Sequence, residues 1–191
     1  EYAFADNQLT SVRIPEGVTS IGESAFAWNE LTSVIIPDSI TDIGNGTFKV
    51  NKLTDVVIGN NVKSIGEYAF AWNELTSVRI PEGVTSIGAS AFWNNQLVSV
   101  TIPKSVTTIG EEAFGGMERE GYIFDKWYVD QECTKVWDES SSGVTIYAKK
   151  KGATENKPTI SKPFTDVPAT HTFYNDINYL VNKSIISGYP D

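Results

Sequence analysis

The sequence predicts a mainly β fold in which short, similar coils stack along one axis as a solenoid. The phrase LTSVRIPEGVTSIGESAFAWNE at residues 9–30 returns every 22 residues, starting again at Leu31, Leu53, Leu75 and Leu97. Its apolar residues alternate with polar ones over short stretches, which is typical of strands with one buried face. Self-similarity at such a period indicates repeats that bury their core only against their neighbours.

Each repeat is expected to contain two short strands. In LTSVRI the valine and isoleucine face inward, and a proline ends the strand in every repeat except the third, where Gly59 stands. In VTSIG the pattern repeats, and we expect its glycine to permit a turn at positive φ. The phenylalanine that follows then enters the core as one column: Phe4, Phe26, Phe48, Phe70, Phe92 and Phe114.

A polar column accompanies the phenylalanines. It consists of Asn7, Asn29, Asn51, Asn73 and Asn95, each at the bend before a leucine. A buried amide needs hydrogen-bond partners, so we expect these side chains to bind the backbone of the next coil.

The repeat resembles the bacterial BspA-type leucine-rich repeat, whose phrase L-x-x-V-x-I-P-x-x-V-x-x-I-G-x-x-A-F is matched within residues 1–118. The resemblance implies a right-handed solenoid with one sheet of parallel strands and a second side of short strands or turns. It also implies a bacterial surface protein.

A longer period overlies the 22-residue one. Residues 1–22 and 67–88 differ only at Asp6/Trp72 and Gln8/Glu74, so a block of three repeats has been duplicated. Because residues 1–4 match residues 67–70, we expect the chain to be part of a longer protein. Recent duplication favours a scaffold whose length can change, as for display or reach.

Recognition is expected at the outward positions that vary between repeats. In the strand, Ile35 and Val57 are adjacent and apolar, with Arg13 and Arg79 on either side, which suits a contact patch. At the bend after the phenylalanine, three tryptophans form either a lid over the core or an exposed strip for sugar or protein: Trp28, Trp72 and Trp93.

The period ends after residue 118, and residues 119–150 have alternating aromatics and a final strand, VTIYAKK. This region resembles the second half of the internalin-type B repeat, a β-grasp-like module of bacterial surface proteins, through Gly121-Tyr122, Trp127-Tyr128 and Thr145-Ile146-Tyr147-Ala148. A solenoid end exposes an open core and a free strand edge. We therefore expect Phe124, Trp127 and Tyr147 to cap the last coil.

Residues 151–163 are rich in lysine and proline and are predicted to be a linker. In 164–191 the apolar residues Phe173, Ile177 and Leu180 share one helical face. This stretch resembles the first half of an S-layer homology (SLH) module. The resemblance implies attachment of a secreted protein to the wall polysaccharide of a Gram-positive bacterium through the complete module, with contacts from Asp166, His171, Phe173 and Tyr189.

Composition excludes several classes of function. The net charge is −9, and residues 1–118 hold 14 acidic and 6 basic residues without a basic stripe, which argues against nucleic-acid binding. A single cysteine and a single histidine leave little material for a metal site or a His-dependent nucleophile, and we expect no cofactor and no catalytic residue. No apolar run is long enough to span a membrane.

The leading hypothesis is a non-enzymatic adhesion or binding protein of the cell surface that contacts a protein or glycan of a host or neighbouring cell. The alternative is a structural spacer of the cell envelope without a ligand of its own. An enzyme is not expected, because paired carboxylates such as Glu111-Glu112 would lie in a turn facing water and nothing in the sequence supplies a pocket.

Overall fold

The computed structural model describes residues 1–116, 122–131, 135–138 and 142–150, all within the compact unit Glu1–Ala153. Regular structure in these residues consists of short strands joined by turns. They are β1 (Ser33–Ile35), β2 (Asp42–Ile43), β3 (Asp55–Val57), β4 (Ser64–Ile65), β5 (Ser86–Ile87), β6 (Ser99–Ile102), β7 (Thr108–Ile109), β8 (Tyr122–Tyr128) and β9 (Val144–Lys150).

Parallel pairing at the 22-residue period confirms the repeat fold. The VTSIG segments form the longer sheet, in the order β2-β4-β5-β7. Successive isoleucines are in register from Ile43 to Ile109, and a bridge to Ile21 extends the row by one coil. In the LTSVRI segments, by contrast, parallel pairing is limited to β1 with β3 and one bridge between Arg79 and Thr101. The second side therefore carries the more continuous sheet, which the sequence analysis did not predict.

The phenylalanine column is the centre of the core. Neighbouring rings stack 5.2–5.5 Å apart and within 10° of parallel along the whole row from Phe4 to Phe114. Phe48, Phe70 and Phe92 are fully buried. Burial of one such ring contributes about 1.5–3 kcal/mol, so this column is a main source of stability.

The glycine that ends VTSIG has a different role from the one predicted. None of the glycines in this column has a positive φ. A Cβ atom at Gly88 would instead lie 2.5 Å from the backbone nitrogen of Glu67 in the preceding coil. The residue is glycine because two backbones approach closely there, and the prediction of a positive-φ turn at this position was wrong.

Positive φ occurs at two other columns of each coil. The first lies two residues after the glycine and contains Tyr2, Ser24, Gly46, Tyr68, Ser90 and Glu112; the second lies four residues later and contains Asp6, Trp28, Val50, Trp72, Asn94 and Gly116. These two left-handed residues bracket the phenylalanine and turn the chain around it.

The asparagine column joins each coil to the one before it. Asn51 accepts a hydrogen bond from the Leu31 backbone N–H at 3.0 Å and donates to the carbonyls of Phe26 and Phe48 at 2.9 and 3.1 Å. The same pattern recurs at Asn29, Asn73 and Asn95. The prediction of backbone bonding is confirmed, but the partner is the preceding coil and not the next one.

The last coil is covered by the segment that follows it. Strand β9 pairs antiparallel with β6 of the last repeat and with β8 on its other side. Trp127 and Trp137 both lie edge-on to Phe114, with ring centroids at 6.4 Å, and both are buried. Of the three expected capping residues, Trp127 contacts the core directly and Tyr147 lies in β9 opposite Ser99. Trp137 was not foreseen.

Several predictions concern residues that the structure does not describe. The side chain of Phe124, the linker at 151–163, and the helical segment expected within 164–191 lie outside the described residues. The proposed wall-binding residues Asp166, His171, Phe173 and Tyr189 therefore lie outside them as well.

Candidate functional site

Strands β1 and β3 present an apolar pair to solvent. Ile35 and Val57 are directly paired in the parallel register, and their side chains are 66 % and 48 % exposed. Their neighbours Val34 and Val56 point inward and are buried, as period-2 alternation requires. We call Ile35 and Val57 the strand patch; the structure places both as the sequence predicted.

The two arginines predicted beside the strand patch are also exposed. Arg13 lines a shallow depression together with Pro15, Glu16 and Ile35, which places it next to the patch. Arg79 lies in the fourth coil and pairs with Thr101 of the fifth. The outward column thus reads basic, apolar, apolar and basic along the stack, and it suits an apolar partner surface with acidic groups at its rim.

The three tryptophans do not form a single column. Trp28 and Trp72 occupy the second positive-φ column, with φ of 55° and 54°. Trp93 occupies the preceding column, which holds alanine in three coils and Lys49 in another. The two alternatives, an exposed strip and a lid over the core, therefore apply to different tryptophans. Trp28 is 41 % exposed, whereas Trp72 and Trp93 are partly buried.

Lys49 brings Trp28 and Trp72 into one site. Its ammonium nitrogen lies 5.3 Å from the ring centroid of Trp28, 5.0 Å from that of Trp72 and 5.4 Å from that of Tyr68. All three distances are within the range of about 6 Å over which a ring face attracts a cation. We call Trp28, Tyr68 and Trp72 the aromatic cage.

Small residues of the second coil leave room for the Lys49 side chain. Val50 stands in the tryptophan column between Trp28 and Trp72, where a third indole would fill the gap. Gly46 stands in the tyrosine column, and a Cβ atom built there would lie 3.9 Å from Cδ of Lys49. The lysine stem therefore crosses a coil that has no large side chain of its own at either position.

Neighbouring aromatics fix one side of the cage. Tyr68 stacks on Trp72 with centroids 5.8 Å apart, and Trp93 meets Trp72 edge-on at 4.8 Å. Gly116 packs against the indole of Trp93, where a side chain would clash with the ring. Trp72 is thus held from both sides, whereas Trp28 contacts solvent more freely.

The cage holds its cation without help from a carboxylate. Among the described residues, Lys49 has no acidic group within ion-pair distance, and the ion pair recorded in this coil joins Lys52 to Glu30 at 3.2 Å on the surface. The same part of the chain contains no group of three His, Cys, Asp or Glu side chains that could hold a metal ion. Ring faces are therefore the main attraction for a cation here.

The sequence predicted two of the three cage residues, Trp28 and Trp72, as recognition residues but did not predict the site. Lys49 and Tyr68 were not predicted. Lys49 replaces an alanine in the column that directly follows the phenylalanine, where a small residue gives no functional signal. Tyr68 belongs to another column, which also contains serine and glycine. A signal was available: Lys49 lies next to Val50, the position of the tryptophan column midway between Trp28 and Trp72.

Comparison with known families agrees with the repeat pattern. The BspA type leucine-rich repeat region matches residues 1–119 in six copies, and the S-layer homology domain matches residues 163–191. The resemblances to these two families are thereby confirmed, whereas the resemblance of residues 119–150 to the internalin-type B repeat stays a prediction. No curated protein matches the chain.

Among solved structures, the chain is similar to the crystal structure of the pneumococcal vaccine antigen PcpA, at 24 % identity and a TM-score of 0.38. The match covers 49 % of this chain and 30 % of that one. In the part of the chain that the structure describes, no helix has the length and apolar character needed to cross a membrane.

Proposed function

Because this chain belongs to the family of BspA-type leucine-rich repeat proteins, we propose that it is a bacterial surface protein that binds a partner protein through its strand patch. Two matches support a location at the cell surface: the repeat region, and the S-layer homology segment at 163–191. We also propose that the coils form a right-handed solenoid. A further part of the proposal is that the protein is not an enzyme.

The exposure of the strand patch is the observation that carries the proposal. Ile35 and Val57 place two neighbouring apolar side chains on a face whose other outward residues, apart from Val98, are threonine, serine, aspartate and arginine. Burial against a partner would contribute about 25 cal/mol for each Å² of apolar surface removed from water. A protein fits this face better than a glycan, because the patch offers aliphatic groups and not ring faces.

The flanking arginines define the partner further. The chain is acidic overall, with a net charge of −9, yet Arg13 and Arg79 make the two ends of the patch locally basic. Charge pairs at the rim of an interface set association rate and specificity more than affinity. We therefore propose a partner with an apolar centre and carboxylates at the rim, present on a host or neighbouring cell.

A binding panel of host-matrix proteins and an array of glycans, probed with the full chain, tests the proposal. We expect a protein ligand whose binding falls at least about tenfold in Ile35→Asp, since a charge is then buried without a partner. Thr19→Asp is the matched control, because it introduces the same charge at an exposed residue of the first coil. This variant should bind the ligand as the unmodified chain does. A ligand that binds Ile35→Asp and the unmodified chain equally well would refute the strand patch as the contact.

Wall attachment is a separate part of the proposal. The segment 164–191, with Asp166, His171, Phe173 and Tyr189, is proposed to contribute to binding of cell-wall polysaccharide through the complete S-layer homology region. Sedimentation with purified cell walls tests this directly. A full-length protein that sediments equally well after Asp166→Ala and Tyr189→Ala would remove these residues from the binding site.

The second candidate is a structural spacer, and the block duplication favours it. Residues 1–22 and 67–88 are nearly identical, which a spacer tolerates and a single binding site does not require. A spacer predicts no ligand in the panel and unchanged cell adhesion after Ile35→Asp. A shortened adhesion distance after deletion of one 66-residue block would support it.

A further inference from the structure

We infer that the aromatic cage is a binding site for a quaternary ammonium group, and that the ammonium of Lys49 occupies this site when the ligand is absent. The cage lies at the bend of the coils, and the strand patch lies on the LTSVRI strands. The inference therefore does not depend on the function proposed for the strand patch, and each can fail without the other.

The backbone is the first reason to assign a function to the cage. Trp28 and Trp72 adopt left-handed conformations that bulky L-residues rarely take, and the same column holds Asp6, Asn94 and Gly116 in other coils. Asparagine, aspartate and glycine accept this conformation with the least strain. Tryptophan is thus a poor choice for the fold at this position.

Burial does not explain the choice of tryptophan either. Trp28 and Tyr68 are 41 % and 40 % exposed, so their rings are not part of the phenylalanine core. Strained residues that the core does not require are characteristic of recognition sites. We therefore assign these rings to a ligand.

The spacing of the coils is the second reason. Trp28 and Trp72 are two coils apart, which corresponds to a rise of about 9.6 Å. A cation between them lies about 5 Å from each ring, as the Lys49 ammonium does. Tyr68 supplies a third face at 5.4 Å. The gap therefore accommodates one cationic group between facing rings.

The chemistry of the walls selects the kind of cation. Ring faces attract positive charge but accept hydrogen bonds poorly, and no carboxylate of the described residues joins Lys49. A primary ammonium has three N–H donors and is strongly hydrated, so it loses hydrogen bonds on entering such a site. A quaternary ammonium has no N–H group to satisfy. The cage consequently favours the quaternary group over its own lysine.

Exchange between lysine and ligand requires no movement of the backbone. The Lys49 stem is flexible and only partly buried, and its ammonium can return to water when a ligand enters. The resident lysine then acts as a competitor of the ligand. Substitution of Lys49 by a small residue should raise the affinity of the cage for the ligand and leave the three rings of the cage in place.

Titration of the full chain with choline chloride, followed by the indole N–H signals in NMR spectra, tests the inference. Sodium chloride at equal ionic strength is the blank. We expect saturable shifts confined to Trp28, Trp72 and their neighbour Trp93. In Lys49→Ala the affinity should rise about fivefold, the factor expected when one exposed cation–π competitor is removed.

Two matched variants separate the cage from general effects. Lys52→Ala removes a lysine of the same coil outside the cage and should behave like the unmodified chain. Trp28→Asn removes one wall, retains a residue suited to positive φ, and should abolish the saturable shifts while the melting temperature is maintained. Phosphatidylcholine vesicles in a parallel sedimentation assay distinguish a lipid headgroup from a soluble source of the same group.

Three results would overturn the inference. The first is the absence of saturable shifts in folded Lys49→Ala. The second is equal affinity for methylammonium chloride, which would remove the preference for a quaternary group. The third is normal choline binding by Trp28→Asn, which would place the site elsewhere.

Discussion

The indole N–H of Trp127 donates a hydrogen bond of 2.9 Å to the backbone carbonyl of Phe114, and the two rings meet edge-on at 6.4 Å. Phe114 is the last ring of the phenylalanine column, so this contact joins the repeat array to the segment that covers it. Strand β9 adds a second connection by pairing with β6. The array and its cover are therefore expected to unfold together.

Substitution of Trp127 should destabilise the whole array. Trp127→Phe removes the hydrogen bond and part of the buried ring, and it should lower the free energy of unfolding by about 1–3 kcal/mol. Trp127→Ala also opens a cavity over Phe114 and should cost about 3–5 kcal/mol. Urea unfolding followed by circular dichroism measures both, and Val136→Ala, at a side chain 48 % exposed, should change the value by less than about 0.5 kcal/mol. An unchanged midpoint in Trp127→Ala would show that the cover does not stabilise the array.

The stabilisation that each asparagine of the column provides should depend on its position along the array. Asn51→Ala leaves the buried Leu31 N–H without its partner and removes two bonds to the carbonyls of Phe26 and Phe48. We expect a loss of about 2–4 kcal/mol in urea unfolding. Asn7→Ala is the control, because Asn7 is exposed and donates only within its own coil, and its loss should stay below about 1 kcal/mol. Similar losses for the two variants would contradict the proposed role of the links between coils.

Replacement of Val50 should stabilise the protein. This β-branched residue has a φ of 56°, which favours asparagine or glycine, so Val50→Asn should raise the free energy of unfolding by about 1 kcal/mol. Val57→Asn makes the same change on an exposed strand position and should give no gain. Thermal unfolding of the two variants side by side measures the difference, and a lower melting temperature for Val50→Asn would refute it.

Ionisation of the Asp42 carboxyl should make the free energy of unfolding depend on pH. Hydrogen bonds from Ser64 and then from Thr41, the latter at 2.7 Å, hold its pKa below the ordinary value, and slight burial opposes them. Since the folded pKa is the lower one, the unfolded state binds more protons. The stabilisation is thus complete above the unfolded pKa of about 3.9 and is lost as pH falls through the folded pKa.

Ser64→Ala tests this assignment, since it should raise the pKa of Asp42 towards the ordinary value. Carbon-detected NMR titration of the Asp42 carboxyl gives the pKa directly. Thr41→Val should produce a smaller shift in the same direction. A pKa of Asp42 that stays the same in both variants would exclude the hydrogen bonds as the cause.

The sequence by itself determined the period, the core columns and the family of this protein. Each coil contributes one phenylalanine and the same set of aliphatic residues, all but the last contribute an asparagine, and a residue that recurs at a fixed period in a stack contacts its own copies. The ring stacking from Phe4 to Phe114 therefore followed from the order of the residues. Ile35 and Val57 followed in the same way, because period-2 alternation fixes which strand residues face water.

Only the tertiary structure decided how these columns are placed relative to one another. The close backbone contact at Gly88, the positive φ of Trp28 and Trp72, and the pairing of β6 with β9 depend on the path of the chain between strands. The aromatic cage is the clearest case. Lys49 comes from the second coil and its rings from the first and third, so the site exists only when the rise per coil and the turn of each bend bring them within about 5 Å of one cation.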